Sequence, residues 1–500
     1  MPDKRVLLVD LNNFSRYPTI PIGYLAAVLR RAQFAVSVFC PLSIGVQGVL
    51  REARPHALSL PMAKLNYRAA VSTSNFIRSV RDGLAAKRLS QLTAEHDRVL
   101  QEFERALQRE KPAAVLISAY LMYYDLCVAM CAACRRAAVP VLIGGPYFAQ
   151  PEVVKEWIGI EGMTALATGE LELRVPAIIE SMLRGEDLKA HPGLFVRDSD
   201  GTPAGSFAAP LKTLDDVPFP DYQDFPWQRY PNRIVPVITG RGCAWGACTF
   251  CSDVTSTAGR TYRSRSPQNV LDELAYHHAA YGVNQFVFTD LKLNSNVDMW
   301  RAVINGLQRA APGATWIAAV HVTADEVKDN GLTAADLRAA AAGGCVRLTT
   351  GLESGSQKMV DLMHKGTKIE RTSRYLIDAA AAGISCRCTM VLGYPGETAD
   401  DVRASADFLR RHHSVIERVS LNRFAIMTGT GFHRMLQRNP ADFPQITRLT
   451  INHRMAHLDH HYTESETRDH RRAVMRLLEA VHSINSRAMN LRAATFEGVM

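Results

Sequence analysis

The stretch R-G-C-A-W-G-A-C-T-F-C, residues 241–251, decides the fold. It follows an apolar run, I-V-P-V-I-T (234–239), that reads as a strand. Gly240, Gly242 and Gly246 supply the backbone freedom that a tight wrap demands. Cys243, Cys248 and Cys251 stand in that wrap, with Trp245 and Phe250 placed to shield them and to form a wall for a planar ring. Three thiolates on a cube of four irons leave one iron open. Such a site binds a ligand rather than merely passing electrons. A zinc knuckle would want a fourth Cys or His close by. The nearest, His277 and His278, fall inside a predicted helix.

A second triplet, C-V-A-M-C-A-A-C, holds Cys127, Cys131 and Cys134. Their spacing puts all three on one helix face, surrounded by alanines and Met130. A continuous helix spends its N–H groups internally and cannot offer them to cluster sulfurs. These cysteines therefore read as small buried apolar residues where a helix packs on a sheet.

Working outward from the loop, residue 233 starts a strand–helix series. Expected strands are 234–239, 285–290, 315–322, 346–353, 385–393 and 419–426, with amphipathic helices between them. Six such units predict a partial (β/α)6 barrel over 233–430, with its site at the strands' carboxyl ends. Before it, residues 1–188 alternate apolar strands with helices, which predicts a Rossmann-like, doubly wound parallel sheet. Ligands of such sheets sit beyond the strands' carboxyl ends, here Asn12, Ser118, Gly144, Gly145, Gly169 and Glu170. Residues 189–232 read as a proline-punctuated linker carrying a short hairpin (193–205), and 431–500 as a small helical cap. The run from Ala113 to Cys134 is long enough to span a bilayer, but splits better into a strand, a turn near Tyr123–Asp125 and a helix. Lys365 reads as a solvated turn residue. His453, His457, His460, His461 and His470 read as a solvated polar helix rather than a metal cluster.

The fold class is thus α/β in two units. Fifty-eight Lys and Arg against 49 Asp and Glu give a net charge of +9 without a basic-and-aromatic stripe, which argues against nucleic acid. Ten cysteines, six of them in two tight clusters, argue for a reducing compartment rather than a disulfide framework. With no leader pattern at the N-terminus, a cytoplasmic protein without a membrane anchor is expected.

Together these motifs resemble the radical S-adenosylmethionine (SAM) superfamily, in its cobalamin-binding-domain branch. R-G-C-A-W-G-A-C-T-F-C is similar to the cluster loop, G-L-E-S-G-S-Q-K-M-V-D-L-M-H-K-G-T (351–367) to the fourth-strand segment, and V-L-G-Y-P-G-E-T (391–398) to the fifth. P-I-G-Y-L-A-A-V-L-R, V-L-I-G-G-P-Y and A-T-G-E-L-E resemble the cobalamin domain. Three departures stand out. The first cysteine gap has one extra residue. T-D-L-K-L-N (289–294) replaces a Gly-Gly-Glu-type motif, which makes Asp290 the candidate for the methionine amine. The D-x-H-x-x-G motif that supplies a histidine to cobalt is absent.

The resemblance implies a 4Fe-4S cluster on Cys243, Cys248 and Cys251, SAM and cobalamin as cofactors, and a flavodoxin- or ferredoxin-like electron donor. Glu353 and Ser354 are implied for the ribose and carboxylate of SAM, and Gly393 for the adenine. P-G-E-T also carries a helix N-cap signature, Thr398 with Asp401. The implied reaction is methyl transfer to an unactivated carbon of a small-molecule or peptide substrate. The alternatives are a non-methylating cyclase or oxidoreductase, a methylthiotransferase-like enzyme and, in another class, a cobalamin-binding sensor or carrier.

Overall fold

The computed structural model describes residues 4–11, 16–48, 55–72, 74–253, 262–325 and 330–499. Its first sheet holds β1 (Arg5–Asp10), β2 (Ala35–Phe39), β3 (Ala114–Ser118), β4 (Val141–Gly144), β5 (Ala165–Ala167), β6 (Leu194–Arg197) and β7 (Pro203–Gly205). The order is β2-β1-β3-β4-β5-β6-β7. The first five strands are parallel and the last two antiparallel. Near-continuous apolar strands are what a sheet covered on both faces requires, and β3 is buried along its whole length. The order 2-1-3-4-5 puts the topological switch between β1 and β3. The hairpin expected in the linker extends this sheet, so the first unit runs past residue 188. Backbone pairing of β6 with β5 overrides the loop-like composition of that stretch.

Cys127, Cys131 and Cys134 lie on helix Tyr124–Arg136 and are fully buried. They pack with Met130, Phe103 and strand residues Val115 and Ile117. The helix is held to the sheet by the small apolar face that the sequence predicts.

The second sheet holds β8 (Val235–Val237), β11 (Gln285–Phe288), β12 (Thr315–Val320), β13 (Cys345–Glu353), β14 (Ser385–Leu392) and β15 (Ile416–Arg423). All are parallel and follow chain order, and β8 and β15 are left as open edges. Two short strands, β9 (Gly240–Arg241) and β10 (Arg263–Ser264), pair antiparallel and close the base of the cysteine-bearing loop. Helices Pro267–Tyr281, Val297–Ala310, Ala334–Ala342, Ile369–Ala381 and Ala399–Arg411 alternate with the barrel strands. Helix Ala399–Arg411 starts with the Thr398–Asp401 capping box that the sequence predicts. Met489, Ala493 and Phe496 from the end of the chain pack on Ile234, Val287, Ile317 and Val346 and fill the barrel interior.

The C-terminal region corrects the all-helical expectation. β16 (Ile426–Met427), β17 (Ile446–Asn452) and β18 (His457–Tyr462) form a three-stranded antiparallel sheet, followed by helix Arg468–Asn485. H-L-D-H-H-Y buries Leu458 and Tyr462 and belongs to a strand, so His457, His460 and His461 are strand residues. His470 is buried, beside Glu397 and Tyr67, rather than solvated. No helix among the described residues is long and apolar enough to cross a membrane.

Candidate active site

The cysteine loop leaves β8 through Thr239 and Gly240, and Asp290 fixes that exit. The Asp290 carboxylate accepts from the Thr239 amide (3.1 Å), the Thr239 hydroxyl (2.7 Å) and the Gly240 amide (2.9 Å). Burial pushes Asp290 up to about 6 even against these donors. Its lone pairs are spent on the base of the loop.

Within the loop, Gly242 (φ 88°) and Gly246 (φ 56°) adopt the left-handed backbone that their lack of Cβ permits. Cys243, Cys248 and Cys251 form no disulfide and are neither deeply buried nor fully exposed. Trp245 clamps the loop onto the turn after helix Gln357–Leu362. Its indole N–H donates to the His364 carbonyl (2.8 Å), and its ring stacks on His321 (5.9 Å). The indole also lies flat on Gly366, where a Cβ would collide with it. Thr249 adds two ties: its amide donates to the Met363 carbonyl (3.0 Å), and its hydroxyl bonds the Tyr394 hydroxyl (2.7 Å).

Lys365 is corrected from a solvated residue to a buried one. Its ammonium donates to Glu353 at 2.7 Å and stands 5.9 Å above the Phe250 ring. Burial opposes the Lys365 charge, but Glu353, aided by Cys248, outweighs it and raises the ammonium above its ordinary range. Glu353 sits at φ 58°, a left-handed geometry strained for a side chain-bearing residue. Gly351 is needed beneath the pair, since a Cβ there would meet both Glu353 Oε1 and Lys365 Nζ. Burial and Lys365 lower Lys292, while burial and both lysines hold His321 near 3, as a neutral imidazole.

The other expected residues divide. Ser354 bonds Ser405 on helix Ala399–Arg411 (3.1 Å), so its hydroxyl is turned into the barrel wall. The Gly393 amide (φ 84°) donates to Glu397 (2.6 Å). Glu170 takes Arg263 in two bonds (2.6 and 2.7 Å) and the Leu211 amide (2.9 Å), with Arg241 at 3.4 Å. It therefore ties the first sheet to both strands at the loop's base. Gly145 is required because a Cβ would collide with the Ala119 carbonyl. Ser118 ends β3 and Gly144 ends β4, in register with each other; Gly169 (φ 83°) follows β5. Asn12 lies outside the described residues.

Sequence reading misses Tyr147, whose hydroxyl bonds Ser252 (3.2 Å), and Gln150, whose carbonyl accepts from Thr428. Gln150 belongs to no motif, and Tyr147 closes the V-L-I-G-G-P-Y motif without being singled out in it. Gln150 borders a cavity of about 630 Å³ that is also lined by Glu152, Cys248, Cys251, Thr428 and His433. Three units thus meet at the cysteine loop.

Among the described residues, no three Cys, His, Asp or Glu side chains are gathered closely enough to hold one metal ion. Thiolates that each bind a different iron of a cube stand farther apart than ligands of a single ion. Three thiols outside any disulfide on a glycine-rich wrap, with two lysines beside them, fit a cluster better than a zinc ion.

Residues 237–409 match the Radical SAM superfamily. The uncharacterized methyltransferase PH0819 of Pyrococcus horikoshii is 25% identical over 359 residues, 70% of this chain and 73% of that protein. The cytidylyl-2-hydroxyethylphosphonate methyltransferase of Streptomyces wedmorensis is 28% identical over 214 residues, 39% of this chain; the match spans 38% of that relative's length. A solved structure of the radical S-adenosylmethionine methyltransferase TsrM from Kitasatospora setae, with cobalamin and a [4Fe-4S] cluster bound, is similar in fold. Its TM-score is 0.60 at 17% identity, covering 90% of this chain and 81% of that one.

Proposed function

We propose that the chain is a radical SAM enzyme, on the match of residues 237–409 to the Radical SAM superfamily, and that it is a cobalamin-dependent methyltransferase. The substrate is a small molecule or peptide methylated at an unactivated carbon. The observation that carries this reading is the docking of the first sheet's strand ends onto the barrel: Tyr147 meets Ser252 and Glu170 meets Arg263 at the cysteine loop, while Gln150 meets Thr428 just after β16. Methyl transfer needs both cofactors over one barrel face. The cobalamin and [4Fe-4S] cluster bound together in the similar fold of TsrM support the same pairing.

The residues that line the cavity fit such a group. Gln150 is 5% exposed, and its Nε2 has no acceptor. A cobalamin rimmed by amide carbonyls would satisfy that donor from the adjoining cavity. When bound, the cluster and SAM supply reductive cleavage of a sulfonium bond, and cobalamin supplies the methyl group.

The chain's own residues do the positioning. Cys243, Cys248 and Cys251 hold the cluster, and Asp290 fixes the exit of their loop from β8. Trp245 and Phe250 cover it. Lys292 and Lys365 set positive charge beside the thiolates, and Glu353 limits the excess. In this arrangement Asp290 serves the loop before any methionine amine. Glu353, at the end of β13 beside Lys365, is the better placed carboxylate for SAM. An external low-potential electron donor completes the requirement.

The test is anaerobic purification from cells supplied with cobalamin, followed by iron, sulfide and cobalt counts per chain. Four irons with one cobalt support the reading. Four irons without cobalt contradict methyl transfer and favour a non-methylating radical reaction.

A further inference from the structure

The loop after β4 is held in an unusual shape. Gly145 (φ 151°) brings it against the Ala119 carbonyl, so the loops after β3 and β4 touch backbone to backbone. Two residues on, Tyr147 stands at φ 77°, a region unfavourable to a residue with a bulky side chain. Phe148 is fully buried next, its ring 4.8 Å from that of Trp157. The Gln150 amide donates back to the Tyr147 carbonyl (3.3 Å). Fixed on both sides, the backbone turns the phenol toward the barrel, where its hydroxyl meets Ser252 at 3.2 Å. Ser252 directly follows Cys251. Strain of this kind persists where the surroundings over-determine it, and it marks functional sites.

Gln150, Pro151 and Glu152, from the same loop, line the cavity that also touches Cys248 and Cys251. A ligand entering that cavity presses on one end of a short, doubly anchored segment. The other end is bonded to the cysteine loop. Nothing in the radical chemistry calls for a tyrosine there, and its strained backbone would relax with glycine.

We propose that Tyr147 is a positioning residue that couples ligand occupancy at the first sheet's strand ends to the conformation of the cysteine loop. The inference rests on the cobalamin reading above. Cofactor binding in the first unit then tightens the loop that carries the cluster. Radical generation is restrained until the methyl donor is in place. By linkage, cluster loading strengthens cobalamin binding by the same factor.

The experiment is hydrogen exchange on the cluster-loaded protein, with and without hydroxocobalamin, followed by its absorbance. In the parent protein, hydroxocobalamin slows exchange in peptides covering 240–253 by at least about fivefold, the lower end of ordinary coupling. Tyr147→Phe keeps the ring and loses that protection, while peptides covering 141–152 stay protected. Ser252→Ala removes the same bond from the other side and behaves alike, so a folding defect in one variant does not decide the matter. Equal protection of 240–253 in parent and variants overturns the inference and leaves the cobalamin reading standing. No cobalamin absorbance in the parent protein overturns both.

Discussion

Two cysteine triplets differ in what surrounds them more than in their spacing. Cys127, Cys131 and Cys134 are fully buried on a helix whose amides are spent along its own axis. Burial alone pushes the Cys134 thiol up to about 12, and burial with its neighbour Cys134 does the same to Cys131. A thiol held so firmly protonated is a poor ligand. Cys243, Cys248 and Cys251 stand on a loop bent by Gly242 and Gly246, partly open, with two lysines near. The comparison teaches that a ligand set is a property of backbone and charge before it is a property of residue spacing.

The sharpest way to break that comparison is to mutate one cysteine of each triplet. Cys248→Ala is expected to abolish SAM cleavage, read as 5′-deoxyadenosine by chromatography. Cys131→Ala is expected to keep cleavage and cost about 1 kcal/mol of core packing. Cleavage in the first variant would overturn the assignment.

The next effect falls on the tie between the two units. Glu170→Ala leaves Arg241 and Arg263 at the loop's base without their shared carboxylate. A cost of about 3 kcal/mol is expected, since removing one partner strands a poorly solvated charge. Urea unfolding measures it, and an unchanged midpoint would refute Glu170 as a strut.

Gly366→Ala is expected to cost about 2 kcal/mol. A side chain there is strained at φ 65° and collides with the Trp245 ring. Tryptophan fluorescence should report a displaced indole; an unperturbed spectrum would argue against the clamp.

The smallest effect is electrostatic. His321 falls from 6.5 to about 3 on folding, through burial and then Lys365 and Lys292. The unfolded chain thus binds the extra proton between those values. Stability from this group is present above 6.5 and is lost as pH falls toward 3, by at most about 1.4 kcal/mol per pH unit. His321→Gln should flatten that slope in urea titrations between pH 6.5 and 5. A slope unchanged by the substitution would place the protonation elsewhere.

Much of this was legible before any coordinates. Apolar strands alternating with amphipathic helices announce both parallel sheets, and a glycine-rich turn directly after a strand marks the loop. Helical spacing among alanines marks Cys127, Cys131 and Cys134 as core. What escaped depends on contacts distant in sequence. Lys365 looks solvated because its partner, Glu353, is twelve residues away on a strand end. Glu170 looks like a ligand contact because its arginines lie 71 and 93 residues on (241 − 170 and 263 − 170). The C-terminal strands hide because period-two burial in H-L-D-H-H-Y is carried by Leu458 and Tyr462 alone. Tyr147 ends the V-L-I-G-G-P-Y motif, but only its backbone angle and its distant serine single it out.

The most direct test of the central claim is electron paramagnetic resonance of the reduced cluster, before and after SAM is added. It should be run on a variant in which Cys127, Cys131 and Cys134 are all alanine. The account predicts a four-iron signal at full intensity that changes shape with SAM, because one iron lacks a protein ligand. A signal lost with the helical cysteines, or one indifferent to SAM, would contradict it.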